Sequence, residues 1–180
     1  TISNYLANIC TQEKIIYEEQ ALEVLSDRAR GSIRDALVNL EGVMYDDIMI
    51  KNLQEQGFIV DAKILIPFLY YFITRKEKEC VEKLHEYADN GGVLKHLIDA
   101  SIDFIRLVHT HLLEASNSID MFVSPTRISL AKQVASKVNI KDVRESIIKL
   151  FNIKFDHFYT DLVKVEISII EHCNIIMKVS

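Results

Sequence analysis

The chain has 180 residues, of which 49% are apolar and 26% are charged, and this is the composition of a globular protein with one large domain or two small ones. Its net charge of −5 argues against a protein that coats nucleic acid over its whole surface. The cysteines at positions 10, 80 and 173 lack C-x-x-C spacing, which indicates small buried side chains rather than a zinc site or a disulfide framework.

The scarcity of chain breakers predicts an all-α fold. Only five glycines and two prolines occur, and apolar and polar residues do not alternate as they would in strands. In the first 45 or so residues the apolar spacing predicts three short helices, over 2–10, over 18–30 and from residue 33 onward. We expect them to pack as a small bundle.

The turn between the second and third of these helices carries an unusual cation. Gly31 suits the end of one helix, Ser32 suits the N-cap of the next, and Asp35 occupies the capping-box position. Arg34 then lies in a first turn, where a positive charge opposes the helix dipole. Either its guanidinium binds an anion, such as a phosphate held by a neighbouring domain, or it forms a surface ion pair with Asp27 or Asp35.

Helices are also predicted along the rest of the chain, over 48–54, 62–74, 77–88, 93–113, from 125, after Asn139 and over 158–177. The helix at 62–74 is apolar on nearly all sides, so it lies either at the centre of a core or against another subunit. The longest uncharged apolar stretch, 64–74, is shorter than the roughly 20 residues that span a membrane.

The last predicted helix carries two apolar stripes. The first provides the candidate subunit interface, at Leu162, Val165, Ile169 and Ile176. The second lies beside it, at Val163, Ile167 and Ile170. Two apolar faces indicate either contact with another subunit or burial between two helices of the same bundle.

A local excess of positive charge occurs in residues 125–154, which contain seven basic and two acidic residues. Such a stretch either faces phosphates or an acidic partner, or is the solvated face of a helix, and the second interpretation is the more common one.

The sequence contains no complete active site. It has no phosphate-binding loop, no dinucleotide fingerprint and no nucleophile elbow, and no histidine has a partner at metal-ligand spacing. We therefore expect no catalytic residue, no metal and no cofactor within this chain.

A specific resemblance extends over the first 41 residues. It is carried by Tyr5-Leu6, Ile9, Glu13, Ile16-Tyr17-Glu18, Ala21-Leu22, the run Arg28-Ala29-Arg30-Gly31-Ser32-Ile33-Arg34-Asp35-Ala36-Leu37 and Leu40-Glu41. This pattern resembles the lid domain of clamp-loader AAA+ ATPases, and most nearly the gamma/tau type of bacterial DNA polymerase III. The chain departs from the family at Arg30, where an acidic residue is usual, and at Gly42, where glutamine is typical.

The resemblance implies a role for each part of the chain. It implies a three-helix lid over 1–46, with Arg34 as the sensor-2 arginine that contacts ATP, and Gly31, Ser32 and Asp35 as its supporting turn. It further implies a helical collar over 47–180 through which subunits assemble into a pentamer. The expected partners are the other clamp-loader subunits and, through their assembly, the sliding clamp and primed DNA in the bacterial cytoplasm.

The same resemblance implies that ATP and Mg²⁺ are bound by a nucleotide-binding domain upstream of Thr1, so that the chain is expected to be a fragment of a DNA replication ATPase. Two alternatives remain: a non-catalytic helical scaffold, and the lid and oligomerisation region of another AAA+ ATPase of the recombination-associated or replication-factor-C type. An upstream phosphate-binding loop would exclude the scaffold.

Overall fold

The computed structural model of the chain describes residues 1–29, 31–55, 59–114, 123–155 and 158–174, and the side chains of all of these except residues 55 and 158–160. The described residues form ten α-helices and no strand, which confirms the predicted all-α fold. The helices are α1 (Ile2–Glu13), α2 (Glu19–Arg28), α3 (Ile33–Glu41), α4 (Ile50–Glu55), α5 (Ala62–Ile73), α6 (Glu77–Asp89), α7 (Leu94–Leu112), α8 (Pro125–Ala135), α9 (Ile140–Phe151) and α10 (Phe158–Cys173).

The helices fall into two compact units. The first lies within Thr1–Ile59 and Ser116–Ile128, and the second within Val60–Ala115 and Ser129–Ser180.

The first unit contains the predicted three-helix bundle, in which α1, α2 and α3 pack against one another. Its core consists of Leu6, Cys10, Ala21, Leu22, Leu25, Ala29, Ala36, Leu40, Val43, Ile48 and Leu53. Helix α1 continues three residues beyond its predicted end and stops at Lys14, whose left-handed backbone (φ 58°) supplies the C-cap. These buried side chains hold the turn before α3 in place.

A short backbone bridge extends the first unit beyond its three helices. The Ile48 amide donates to the Ile16 carbonyl at 2.8 Å, and the Glu18 amide donates to the Ile48 carbonyl at 2.9 Å. The Glu18 carboxylate in turn accepts from the Ile50 amide at 2.9 Å, at the start of α4. The connector that carries Ile16 is thus paired to the chain just beyond the bundle.

The second unit is built around α5, which packs against α6, α7, α9 and α10. Phe68, Leu69 and Phe72 on α5 are completely buried, although Pro67 lies inside the helix. This helix was predicted to lie either at the centre of a core or against another subunit, and the structure places it at the centre of a core. The N-cap is Asp61, whose carboxylate accepts from the Lys63 amide.

One arginine links the turn after α5 to α9. Arg75 adopts a left-handed backbone (φ 56°), and its guanidinium donates to the Asp142 carboxylate at 2.8 Å and to the Glu145 carboxylate at 2.5 Å. The Arg75 side chain is only 14% exposed, so these charge-assisted bonds lie partly out of water.

His172 on α10 is completely buried in the second unit, where its ring stacks on Phe72 with centroids 4.5 Å apart. Its Nε2 lies 3.1 Å from Ser146 Oγ. Burial, reinforced by the nearby Arg75 cation, lowers the pKa of His172 to about 4. The ring is therefore neutral at physiological pH.

This buried histidine predicts an acid-sensitive fold. In the unfolded chain His172 regains its ordinary pKa of 6.5, so the unfolded state binds the proton first as the pH falls. The contribution of neutral His172 is complete above about pH 6.5 and is lost between about pH 6.5 and 4, by about 3 kcal/mol. We expect urea unfolding to show this loss in the native sequence and a smaller loss in His172→Phe, which keeps the ring stacking but does not titrate. An identical pH dependence in both proteins would contradict the prediction.

Candidate functional site

The turn before α3 has the predicted capping geometry. Gly31 adopts a left-handed backbone (φ 87°), which glycine tolerates without strain. The Ser32 hydroxyl accepts from the Asp35 amide at 3.2 Å, and the Ser32 amide donates to the Ala29 carbonyl at 2.8 Å. Helix α2 ends at Arg28 with Ala29 as its C-cap, so it stops two residues before its predicted end and Gly31 lies in the turn beyond the cap. These bonds fix the direction in which α3 begins.

Arg34 stands in the first turn of α3 with its side chain exposed. No residue in the described part of the chain pairs with its guanidinium. In particular, neither Asp27 nor Asp35 forms the surface ion pair that was the alternative for Arg34. A cation that opposes its own helix dipole and has no partner among the described residues is therefore available to an external anion.

The surface around Arg34 is apolar. Ile33 is 55% exposed and Val38 is 60% exposed, while Leu37 is half-buried beside them. A spacing of four residues puts Arg34 and Val38 on the same side of α3. Ala36 and Leu40 are buried on the opposite side. The guanidinium thus lies beside apolar side chains that are exposed to solvent.

A second feature of the first unit was not visible in the sequence. The Asp27 carboxylate on α2 accepts from the Ser124 amide, just before α8, at 3.2 Å. Burial raises the pKa of Asp27, while the Ser124 hydrogen bonds and the Arg127 cation partly offset that rise. Asp27 and Ser124 are 97 residues apart, so no local pattern could have identified the pair.

The apolar stripes of α10 lie in different surroundings. Val165 and Ile169 from the candidate interface are completely buried within the second unit, and Leu162 is half-buried. Ile176, the fourth candidate, lies outside the described residues. The second stripe is the exposed one, since Val163, Ile167 and Ile170 are each 44 to 51% exposed.

Within the described residues, no group of histidine, cysteine, aspartate and glutamate side chains could hold a metal ion. Cys10, Cys80 and Cys173 are free thiols, and burial raises the pKa of each, in the case of Cys173 to about 11. They are therefore poor nucleophiles. No helix formed by the described residues is both long and apolar enough to cross a membrane.

Comparison with known proteins finds relatives of the sequence that surrounds Arg34. The family described as the ATPase lid domain of the DNA polymerase III clamp loader subunit matches residues 1–40. The chain is also similar to DNA polymerase III subunit gamma of Buchnera aphidicola subsp. Schizaphis graminum (strain Sg), with 28% identity over 111 residues. That alignment covers 60% of this chain and 30% of the relative, so the chain spans only part of the curated protein that it matches. These matches support the resemblance carried by the Gly31–Leu37 run: residues 1–40 match the ATPase lid family of the DNA polymerase III clamp loader subunit, and the chain is similar to a DNA polymerase III subunit gamma.

Proposed function

We propose that the chain supplies the nucleotide-sensing lid and the assembly collar of an ATP-driven loader that opens the sliding clamp for primed DNA. The proposal assigns residues 1–46 to the lid and residues 47–180 to the collar. The observation that carries it is the exposed Arg34 guanidinium on a capped turn, which pairs with none of the described residues and lies inside the region that matches the lid family.

In this proposal Arg34 binds the terminal phosphates of an ATP molecule held, with Mg²⁺, by a preceding domain. A guanidinium suits this role because it is planar, always charged and able to make two parallel hydrogen bonds to phosphate oxygens. Loss of the γ-phosphate removes those bonds, and the lid then rotates away from the nucleotide. The test is ATP-dependent clamp loading by an assembled loader whose subunit carries Arg34→Ala.

The apolar surroundings of Arg34 support the same role. A preceding domain that packs on Ile33 and Val38 removes their apolar surface from water, which stabilises the docked lid. It also excludes water from the guanidinium, and this strengthens its attraction to phosphate. Gly31, Ser32 and Asp35 act in this scheme as the rigid turn that sets the position of Arg34.

The proposed collar contacts a neighbouring loader subunit through α10. The buried Val165 and Ile169 anchor the helix in its own unit, so the exposed Val163, Ile167 and Ile170 are the side chains that a second subunit can reach. These three residues follow helical spacing of four and three, and they form one continuous apolar stripe.

We expect Ile167→Asp to weaken assembly with the other clamp-loader subunits by about tenfold or more, because a charge would be buried in an apolar contact. Sedimentation of the mixed subunits measures the effect, and circular dichroism checks that the helices remain. Val93→Asp is the matched control, since Val93 is 43% exposed at the start of α7 and an aspartate there can cap the helix. Unchanged assembly of Ile167→Asp would contradict the proposed interface.

A further inference from the structure

Helix α9 and the turn before it present an exposed stripe of cationic and apolar side chains. The stripe consists of Lys137, Lys141, Arg144, Ile148 and Phe151, at spacings of four, three, four and three residues. Lys137 lies in the turn before α9, and the other four lie on the helix. All five are exposed, Phe151 by 74% and Ile148 by 63%, whereas Val143, Ser146 and Leu150 on the opposite side are buried.

The carboxylates that could neutralise this stripe are engaged elsewhere. Asp142 and Glu145 on α9 both bind the Arg75 guanidinium on the inner side of the helix. Lys137, Lys141 and Arg144 have no carboxylate partner among the residues that the structure describes. The stripe therefore has a net positive charge although the whole chain carries −5.

Arg144 is also oriented by its neighbour on α7. Its Nε donates to His109 Nε2 at 3.2 Å, and this bond leaves the two terminal nitrogens of the guanidinium as further donors. Partial burial and the Arg144 charge lower the pKa of His109, so its ring stays neutral and can accept this bond. The guanidinium is thus fixed in place before any ligand arrives, and less side-chain entropy is lost on binding.

We propose that this α9 stripe binds single-stranded nucleic acid. Lys137, Lys141 and Arg144 contact successive phosphates, and a base stacks on the exposed ring of Phe151 beside Ile148. A row of cations that continues into an exposed aromatic ring is the arrangement by which proteins bind single strands without reading their sequence. The inference deepens the proposed function by assigning a surface for the single strand, and it depends on neither the ATP-sensing role of Arg34 nor subunit assembly.

The side chains of the stripe also determine which nucleic acids it cannot distinguish. In this arrangement phosphates engage the three cations, and Ile148 and Phe151 carry no polar group that could read a base edge or a ribose 2′-hydroxyl. We therefore expect DNA and RNA strands to bind with similar affinity. Duplex DNA should bind less tightly, because its bases are stacked on one another and cannot reach Phe151.

The test is fluorescence anisotropy of labelled oligothymidylate and oligouridylate, each about 30 nucleotides long, with the complete chain at about 50 mM and 200 mM salt. The variant Lys141→Glu/Arg144→Glu should bind at least tenfold more weakly, and its log–log salt slope should fall by about 1.4 for two lost phosphate contacts. Phe151→Ala should weaken binding about fivefold or more, whereas Phe151→Tyr keeps the ring and should bind normally.

A matched control distinguishes binding at this stripe from a general effect of net charge. Lys78→Glu/Lys95→Glu makes the same change in total charge at two exposed lysines of α6 and α7, and it should alter the affinity less than twofold. Equal weakening by both double variants, or no binding by the folded native chain at about 50 mM salt, would overturn the proposal. Absence of binding would favour an acidic protein as the partner of the stripe. Arg34→Ala should bind normally, so failure of the ATP-sensing role would not be mistaken for failure here.

Discussion

Arg34→Ala in the full-length subunit is expected to reduce ATP-dependent clamp loading by about 100-fold, the effect of removing one fixed cation from a phosphate-binding site. The fold should survive, because the Arg34 side chain is exposed and forms no hydrogen bond or ion pair with the residues that the structure describes. Loading is measured with the assembled complex, a labelled sliding clamp and primed DNA, and thermal unfolding of the variant checks that the lid is intact.

Two further variants show whether the guanidinium itself is required. Arg34→Lys keeps the charge but loses the planar pair of donors, so we expect an intermediate rate of loading. Glu41→Ala changes another exposed charged residue of α3 and should load at the native rate. The proposed role fails if Arg34→Ala loads clamps at the native rate, or if Glu41→Ala is equally slow.

Arg75→Ala is expected to lower the free energy of unfolding of the second unit by about 3 kcal/mol. The substitution leaves the carboxylates of Asp142 and Glu145 side by side without their cation. It also removes a positive charge at a point where the chain must still adopt φ 56°, so the backbone strain remains. Urea unfolding followed by circular dichroism measures the loss.

A control and a rescue make this prediction specific. Lys78→Ala removes a solvent-exposed cation whose contact with Glu82 is 3.9 Å long, and it should change stability by less than about 0.5 kcal/mol. Adding Asp142→Asn and Glu145→Gln to Arg75→Ala removes the uncompensated charges and should restore part of the loss. A loss in Arg75→Ala no larger than that in Lys78→Ala would show that the linkage contributes little.

Local signals predicted the parts of this protein that depend on neighbouring residues. The cap at Ser32 and the break before α9 at Asn139 were visible because a cap is formed within a few residues of its helix. The inward faces of α2 and α3 followed from helical spacing for the same reason. The position of Arg34 in a first turn was therefore predictable. The sequence could not show that none of the described residues pairs with it.

The sequence by itself determined the helical class, the capped turn that displays Arg34 and the lid family, since each depends on residues close together in the chain. Only the tertiary structure decided which α10 stripe is exposed, that Arg75 holds Asp142 and Glu145, and that Asp27 binds Ser124. Those contacts join residues 67 to 97 positions apart. Helical periodicity shows that a face is apolar, but only the packing of other helices shows which of two such faces is covered.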